Sequence, residues 1–201
     1  MNLSLLSMDN FNSLVLRGKR VLLISVRAEN ASELFSIISA SREHLEKWLP
    51  WVDYVRSAED ERQIVEQWVY EMQMKTAIHF CINIENQICG LISIHQIDWM
   101  NQRASIGYWV KCDMVNRKIG TEATAILVKY IFEKLNLHRI YIQAATENAA
   151  SNRLIQKLGF KLEGVLKENE RIRDRYLDHN IYGMTSDDFA KNKQTLLQYF
   201  P

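Results

Sequence analysis

The run Asn148 to Gly164, NAASNRLIQKLGFKLEG, constrains the fold more than any other part of the chain, because it joins a polar helix start, a helix stop and an apolar strand. Asn148 and Ser151 sit three apart and project from adjacent positions on the first turn of a short helix. Leu154, Ile155 and Leu158 supply its buried face. Gly159 then follows as a natural left-handed C-terminal residue, and Phe160 and Leu162 begin a period-two pattern. A polar helix start beside a strand end is expected to be a ligand site, and the order of elements points to an α/β chain.

The rest of the chain extends that order. Val21 to Val26 reads as a strand. Glu29 to Trp48 reads as a helix through Leu34, Phe35, Ile38 and Leu45, and Pro50 ends it. Ala58 to Lys75 is a second amphipathic helix with Glu59, Asp60 and Glu61 at its start. Ile78 to Ile84 and Ile88 to Ile94 are strands joined through Glu85, Asn86 and Gln87, and Ala104 to Val110 is the next strand. Thr121 to Leu135 is helical, Arg139 to Ala145 returns as a strand, and Leu162 to Leu166 and Tyr176 to Met184 finish the sheet. An antiparallel meander followed by strand–helix–strand units predicts a mixed, twisted sheet flanked by helices, with the helix-linked strands parallel.

A chain of 201 residues with 47% hydrophobic content can bury one core, and no Pro-, Gly- or Ser-rich linker divides it, so residues 1–201 read as a single domain. The net charge of +1 favours neither nucleic acid nor an anionic membrane as partner. Cys81, Cys89 and Cys112 form no C-x-x-C pair, and the five histidines show no metal-ligand spacing, so no metal is expected and a reduced, cytoplasmic location fits. The opening MNLSLLSMDNF has neither the basic start nor the unbroken apolar run of an export signal.

Several separated motifs stand in register: IGYWV at Ile106 to Val110, WLPW at Trp48 to Trp51, IGTEA at Ile119 to Ala123, and N-x-x-S followed by K-L-G-F-x-x-E-G from Asn148. Together they resemble the GNAT family of N-acetyltransferases, and within it the RimJ/RimL-type branch that acetylates protein N-terminal amines. The likeness runs from about Leu14 to Phe189. It implies a single-domain GNAT fold and acetyl-CoA as co-substrate. The acceptor it implies is the N-terminal α-amine of a ribosomal or similar protein, acetylated by direct transfer in a ternary complex. A homodimer is an option it leaves open. The alternatives are a CoA- or ligand-binding module of this fold with little catalysis, or an enzyme acting on a small amine such as a polyamine or antibiotic.

The segment KCDMVNRKIG lies between a strand end and a helix start, where main-chain N–H groups and the positive helix end favour an anion. The family places the acetyl-CoA pyrophosphate there, which implies cofactor roles for Asn116, Arg117, Lys118, Ile119, Gly120 and Thr121. The family pattern of Gln or Arg, two variable residues, Gly, one variable residue, then Gly or Ala falls on Val115 to Gly120, and only Gly120 matches. Lys118 must therefore turn outward or lie across the phosphates, and with Arg117 it is either a phosphate ligand or a solvated loop charge. Trp109 and Val110 are expected against the pantetheine arm through their backbone, whereas the side chains of Ile106, Tyr108 and Val110 read as strand core.

Acetyl transfer from a thioester to an amine needs a base, an oxyanion donor, an acid for the leaving thiolate and fixed geometry. The resemblance implies Glu170 as base, with a solvated loop charge as the alternative. It implies Ser151 as the thiolate's acid, with helix capping as the alternative, since Ile155 stands where many relatives have a Tyr. The Val110 amide is the oxyanion candidate. Asn148 is read as binding the pantetheine amides or capping its helix. The resemblance also implies Trp48, Trp51 and Tyr54 as a wall of the acceptor cleft, where the first two helices meet. No histidine is assigned a role.

Overall fold

The computed structural model describes residues 10–201, so residues 1–9, read above for an export signal, lie outside the described residues. Eight strands form one mixed sheet: β1 (Val15–Arg17), β2 (Leu22–Ser25), β3 (Ile78–Ile84), β4 (Gln87–Asp98), β5 (Arg103–Val110), β6 (Arg139–Ala145), β7 (Lys161–Ile172) and β8 (Arg175–Thr185), in the spatial order β1-β2-β3-β4-β5-β6-β8-β7. The helices are α1 (Ala31–Ala40), α2 (Arg42–Leu45), α3 (Ala58–Gln73), α4 (Ile119–Glu133), α5 (Ala149–Lys157) and α6 (Ser186–Leu197). Among the described residues no helix is long and apolar enough to cross a membrane.

The meander β1 to β5 is antiparallel throughout, and β5 and β6, linked by α4, are parallel. The strands linked by α5, β6 and β7, also run in one direction, but β8 lies between them and is antiparallel to both. The final hairpin therefore folds back into the sheet, with β7 at its edge.

α1 and α3 pack together over β3 and β4, while α4 packs on β5 and against α5 and α6. Successive residues of β5 show that these layers cover opposite faces: a side chain at Gly107 would meet His95, near the α3 residue Trp68, whereas Tyr108 touches Gly120 of α4. α4 is buried on nearly all sides, which explains its almost continuous apolar sequence. Its buried Glu122 accepts the main-chain N–H groups of Arg20 (2.6 Å) and Val21 (3.0 Å), and so ties the β1–β2 turn to the helix.

Several local outcomes differ from the sequence expectation, β1 and α6, which it did not include, among them. The helix expected over Glu29 to Trp48 is a 3-10 turn at Ala28–Asn30 followed by α1 and α2, divided at Ser41, whose Oγ accepts the Cys112 N–H at 3.1 Å. The β3–β4 connection is the two-residue turn Glu85–Asn86, both with positive φ (50° and 63°), because Ile84 pairs with Gln87. Glu170 lies within β7 rather than in a loop.

Candidate active site

β5 is paired with β4 up to Gly90↔Val110, but with β6 only over Arg103↔Arg139 to Ile106↔Ile142. Beyond that point the parallel pair splays apart and Gly107–Val110 present a free edge to the gap. A cleft of about 1280 Å³ runs through this splay, lined by parts of β5, β6, β7, β8 and the first turns of α4 and α5. Lys111 N–H donates to Cys89 O on β4 at 2.8 Å, so strand alternation turns the Val110 N–H towards the open side.

One bank of the cleft begins at the start of α4. Asn116 and Lys118 both have left-handed backbone conformations (φ 61° and 63°), and Lys118 is the N-cap residue of α4. Its side chain has no acceptor with which to cap the helix. The first-turn amides of Ile119, Gly120 and Thr121 therefore face an exposed lysine rather than a capping oxygen. The backbone takes the conformation glycine would allow even though a lysine occupies the position, at a strain of about 1–2 kcal/mol. Gly120 is needed for close approach: a Cβ there would stand 3.1 Å from Tyr108 Cε2 and 3.3 Å from Leu154 Cδ1.

The start of α5 is capped. Asn148 Oδ1 accepts the Ser151 N–H at 3.1 Å, which orients the first turn so that the Ser151 and Tyr108 hydroxyls share a hydrogen bond of 3.1 Å. Burial raises the Tyr108 phenol above its ordinary value, with Ser151 acting in the opposite sense. Buried Asn152 fixes the helix in place. Its amide donates to Ala145 O and Asn148 O (both 2.8 Å), and its Oδ1 accepts from Asn180 Nδ2 and Tyr182 OH (both 2.7 Å). Sequence reasoning missed Tyr108 as a cleft residue and Asn152 altogether; a period-two strand does not reveal which of its faces borders a gap.

The opposite bank carries Glu170, with Asn169, His179, His44, Trp48 and Leu49 along the same cleft. Glu170 is half-buried, and burial raises its carboxyl above the ordinary value. Its Oε2 lies 3.4 Å from His179 Nε2. Trp48 packs on a small separate apolar cluster of Ala145, Ile172 and Leu177, and the Arg173 guanidinium reaches Glu46 (2.7 Å) and Asp53 (2.9 Å). The β7–β8 hairpin is thus clasped to the segment after α2.

Of the expected wall of Trp48, Trp51 and Tyr54, the first lies along the cleft and the other two do not. Trp51 packs on Trp109, ring centroids 6.3 Å apart, and Tyr54 is 75% exposed; neither lines the cleft, whereas Trp48 and Leu49 do. The 3-10 turn Pro50–Tyr54 rotates the later aromatics off the cleft. Arg117 is likewise outside the lining, and its carbonyl accepts from the Arg20 guanidinium at 2.9 Å. Trp109, Val110, Asn116, Lys118, Ile119, Gly120, Thr121, Asn148, Ser151 and Glu170 all line it.

A second polar cluster has the connectivity of a nucleophilic triad: Ser93 Oγ to His79 Nδ1 at 2.8 Å, and His79 Nε2 to Glu71 Oε2 at 3.0 Å. Ser93 is fully buried, so no substrate reaches it, and burial, more than His95, depresses His79 to about 4. It is a neutral core histidine with both nitrogens satisfied.

The profile of the Acetyltransferase (GNAT) domain family matches residues 20–161. The ribosomal-protein-serine acetyltransferase of Escherichia coli (strain K12) is 32% identical over 163 residues, covering 81% of this chain and 91% of that protein. The solved structure of the microcin C7 self-immunity acetyltransferase MccE in complex with acetyl-CoA and AMP is 28% identical with a TM-score of 0.80, over 83% of this chain and 93% of that one. Mycobacterium smegmatis RimJ, solved with CoA-disulfide, superposes with a TM-score of 0.87 over 95% of this chain and 97% of that one at 24% identity, a likeness of fold.

Proposed function

The chain belongs to the GNAT family of acetyltransferases, and from that premise we propose that it moves the acetyl group of acetyl-CoA to the N-terminal α-amine of a ribosomal or similar protein within a ternary complex. The observation that carries this reading is the splay between β5 and β6, with Ser151 on one bank of its cleft and Glu170 on the other.

The donor bank suits the coenzyme. The open first turn of α4, entered through two left-handed residues, offers main-chain amides to a pyrophosphate, and Lys118 adds charge. The free edge Gly107–Val110 can pair with the pantetheine amides as an added strand would. Arg153 and Lys157 line the same cleft from α5. In transfer, the amine nitrogen bonds to the thioester carbon and the Val110 N–H holds the developing oxyanion. The C–S bond then breaks, and Ser151, in contact with Tyr108, passes a proton to the thiolate and takes one back from solvent in the open cleft, while the proton held by Glu170 returns to solvent. Glu170 takes the amine proton directly or through a water; its raised pKa suits that task.

Charge bears on the acceptor. Glu71 and Glu170 are the carboxylates in the lining, against Lys118, Arg153 and Lys157, and Glu71 is already engaged by His79 and Gln67. Such a lining suits a single amine better than a polycation. The family relative that acts on a ribosomal-protein serine supports a protein acceptor. Three free cysteines support a cytoplasmic setting.

The test is thiol release from acetyl-CoA with a panel of peptides bearing free or blocked N-termini, polyamines and aminoglycosides, alongside calorimetric titration with acetyl-CoA. Preferential acetylation of free peptide N-termini is expected. Preference for polyamines would move the enzyme to the small-amine class, and binding without turnover on any amine would make it a coenzyme-binding module.

A further inference from the structure

We propose that His179 is a positioning residue that holds the Glu170 carboxylate towards the cleft and is itself held by Asn169, which Gln143 anchors. The inference rests on Glu170 acting as the base.

The backbone arranges the contact. On β8, His179 faces Ala145 of β6 on one side and Leu166 of β7 on the other. The next pair towards the hairpin tip is Glu170↔Leu177, so β7 advances four residues (166 to 170) while β8 advances two (179 to 177). The excess forms a bulge, with Glu168 in a left-handed conformation (φ 49°) and its N–H held by Asp178 Oδ1 at 2.8 Å. Bulges re-aim side chains. This one brings Asn169 and Glu170 to the two ring nitrogens of His179, a buried residue.

The hydrogen bonds then select the tautomer. Asn169 Nδ2 lies 3.2 Å from Gln143 Oε1 and 3.1 Å from His179 Nδ1, so the amide donates to both. With Nδ1 accepting, the neutral imidazole carries its proton on Nε2, which faces Glu170 Oε2 at 3.4 Å. Burial lowers the His179 pKa, with Asp178 opposing, and burial alone moves Glu170. The other titratable groups in the lining are His44 from the α2 side, Glu71 on α3, His95 on β4, Lys118 before α4, Tyr108 on β5, Tyr141 on β6, and Arg153 and Lys157 on α5. At 3.4 Å the Nε2–H stands in contact with the carboxylate rather than in a short hydrogen bond; closing that contact as the cleft fills would orient the carboxylate and favour its charged form against burial.

The experiment compares His179→Leu, His179→Gln, Asn169→Ala and Glu170→Gln in kcat, in the pH profile of kcat/KM, and in acetyl-CoA affinity by calorimetry. His179→Leu is expected to lower kcat about tenfold, with the coenzyme Kd unchanged, and to move the acid limb up by about one pH unit, because the carboxylate has lost a donor. His179→Gln, which keeps an N–H at a similar position, should restore most of the rate and the limb. Asn169→Ala, at an exposed position, tests the same chain should His179→Leu fail to fold, and should move the limb in the same direction. An unmoved limb in the folded His179 or Asn169 variants, or a His179→Gln enzyme no better than His179→Leu, overturns the proposal. Full turnover in Glu170→Gln would instead overturn the base assignment itself, so the two failures are distinguishable.

Discussion

The two banks of the cleft are built of different material. On the donor bank the groups that would meet the coenzyme are mainly main-chain: the first-turn amides of α4, shaped by Asn116 and Lys118, and the free edge of β5 at Gly107–Val110. On the acceptor bank they are side chains, with Glu170, His179 and Trp48 drawn from two hairpin strands and a turn more than a hundred residues earlier. A main-chain site tolerates a changed side chain as long as the φ value is kept, and the left-handed backbone of Lys118 is compatible with such a site. A side-chain site has no such tolerance.

The largest effect that would sharpen this contrast is expected from Glu170→Gln on the acceptor bank. It should lower kcat by about 10²- to 10³-fold while leaving acetyl-CoA affinity within about twofold, read by steady-state kinetics and calorimetry. In the parent enzyme the rate should fall as pH drops through the raised Glu170 pKa, because the base is then protonated.

Glu61 tests whether that pH dependence belongs to catalysis or to stability. It is fully buried in α3, away from the cleft lining, neither carboxylate oxygen has a partner among the described residues, and burial pushes it up to about 7. The folded protein therefore binds more protons than the unfolded chain between the ordinary value of 4.5 and about 7, and stability falls as pH rises through that window. Glu61→Gln should remove the slope and stabilise the protein by up to about 3 kcal/mol above pH 7. Urea unfolding at pH 5 and pH 8 measures it, and the acid limb of turnover should not move.

Tyr108→Phe removes the hydroxyl that meets Ser151. We expect kcat to fall about tenfold, with Ser151→Ala alike and the double variant far from additive, since the pair acts as one unit. Additive losses would separate the two hydroxyls. The smallest effect is expected from Lys118→Gly: acetyl-CoA affinity within about threefold of the parent and stability within about 1 kcal/mol, because the left-handed strain that glycine relieves is offset by its larger backbone entropy in the unfolded chain. A loss beyond tenfold would show that the lysine charge carries binding, and would break the comparison.

Most of the elements were readable because each rests on local periodicity: the amphipathic α3, the strands of the meander, and the helix stop at Gly159, which does take a positive φ of 86°. α6 was not drawn from the sequence, although Thr185 and Asp188 give it a capping box. Along the cleft, Ser151, Glu170 and Gly120 stand where the motifs led one to expect them, as lining residues. Tyr108, Asn152 and His179 were not legible, since their partners lie across strand pairings that no local pattern encodes. Trp48, Trp51 and Tyr54 were expected together, and which aromatic of WLPW reaches the cleft is decided by a 3-10 turn that carries Trp51 and Tyr54 away from it.

The order of elements from β2 to β8, the glycine at Gly120 and the capped polar start of α5 follow from the sequence alone, because propensity, capping and period act over a few residues. Tertiary structure decided where β5 and β6 part, which side chain Lys118's backbone admits, and that a bulge in β7 brings Glu170 onto His179. Those outcomes depend on register between segments far apart in the chain. Register is set by how whole faces pack, a property no single segment carries.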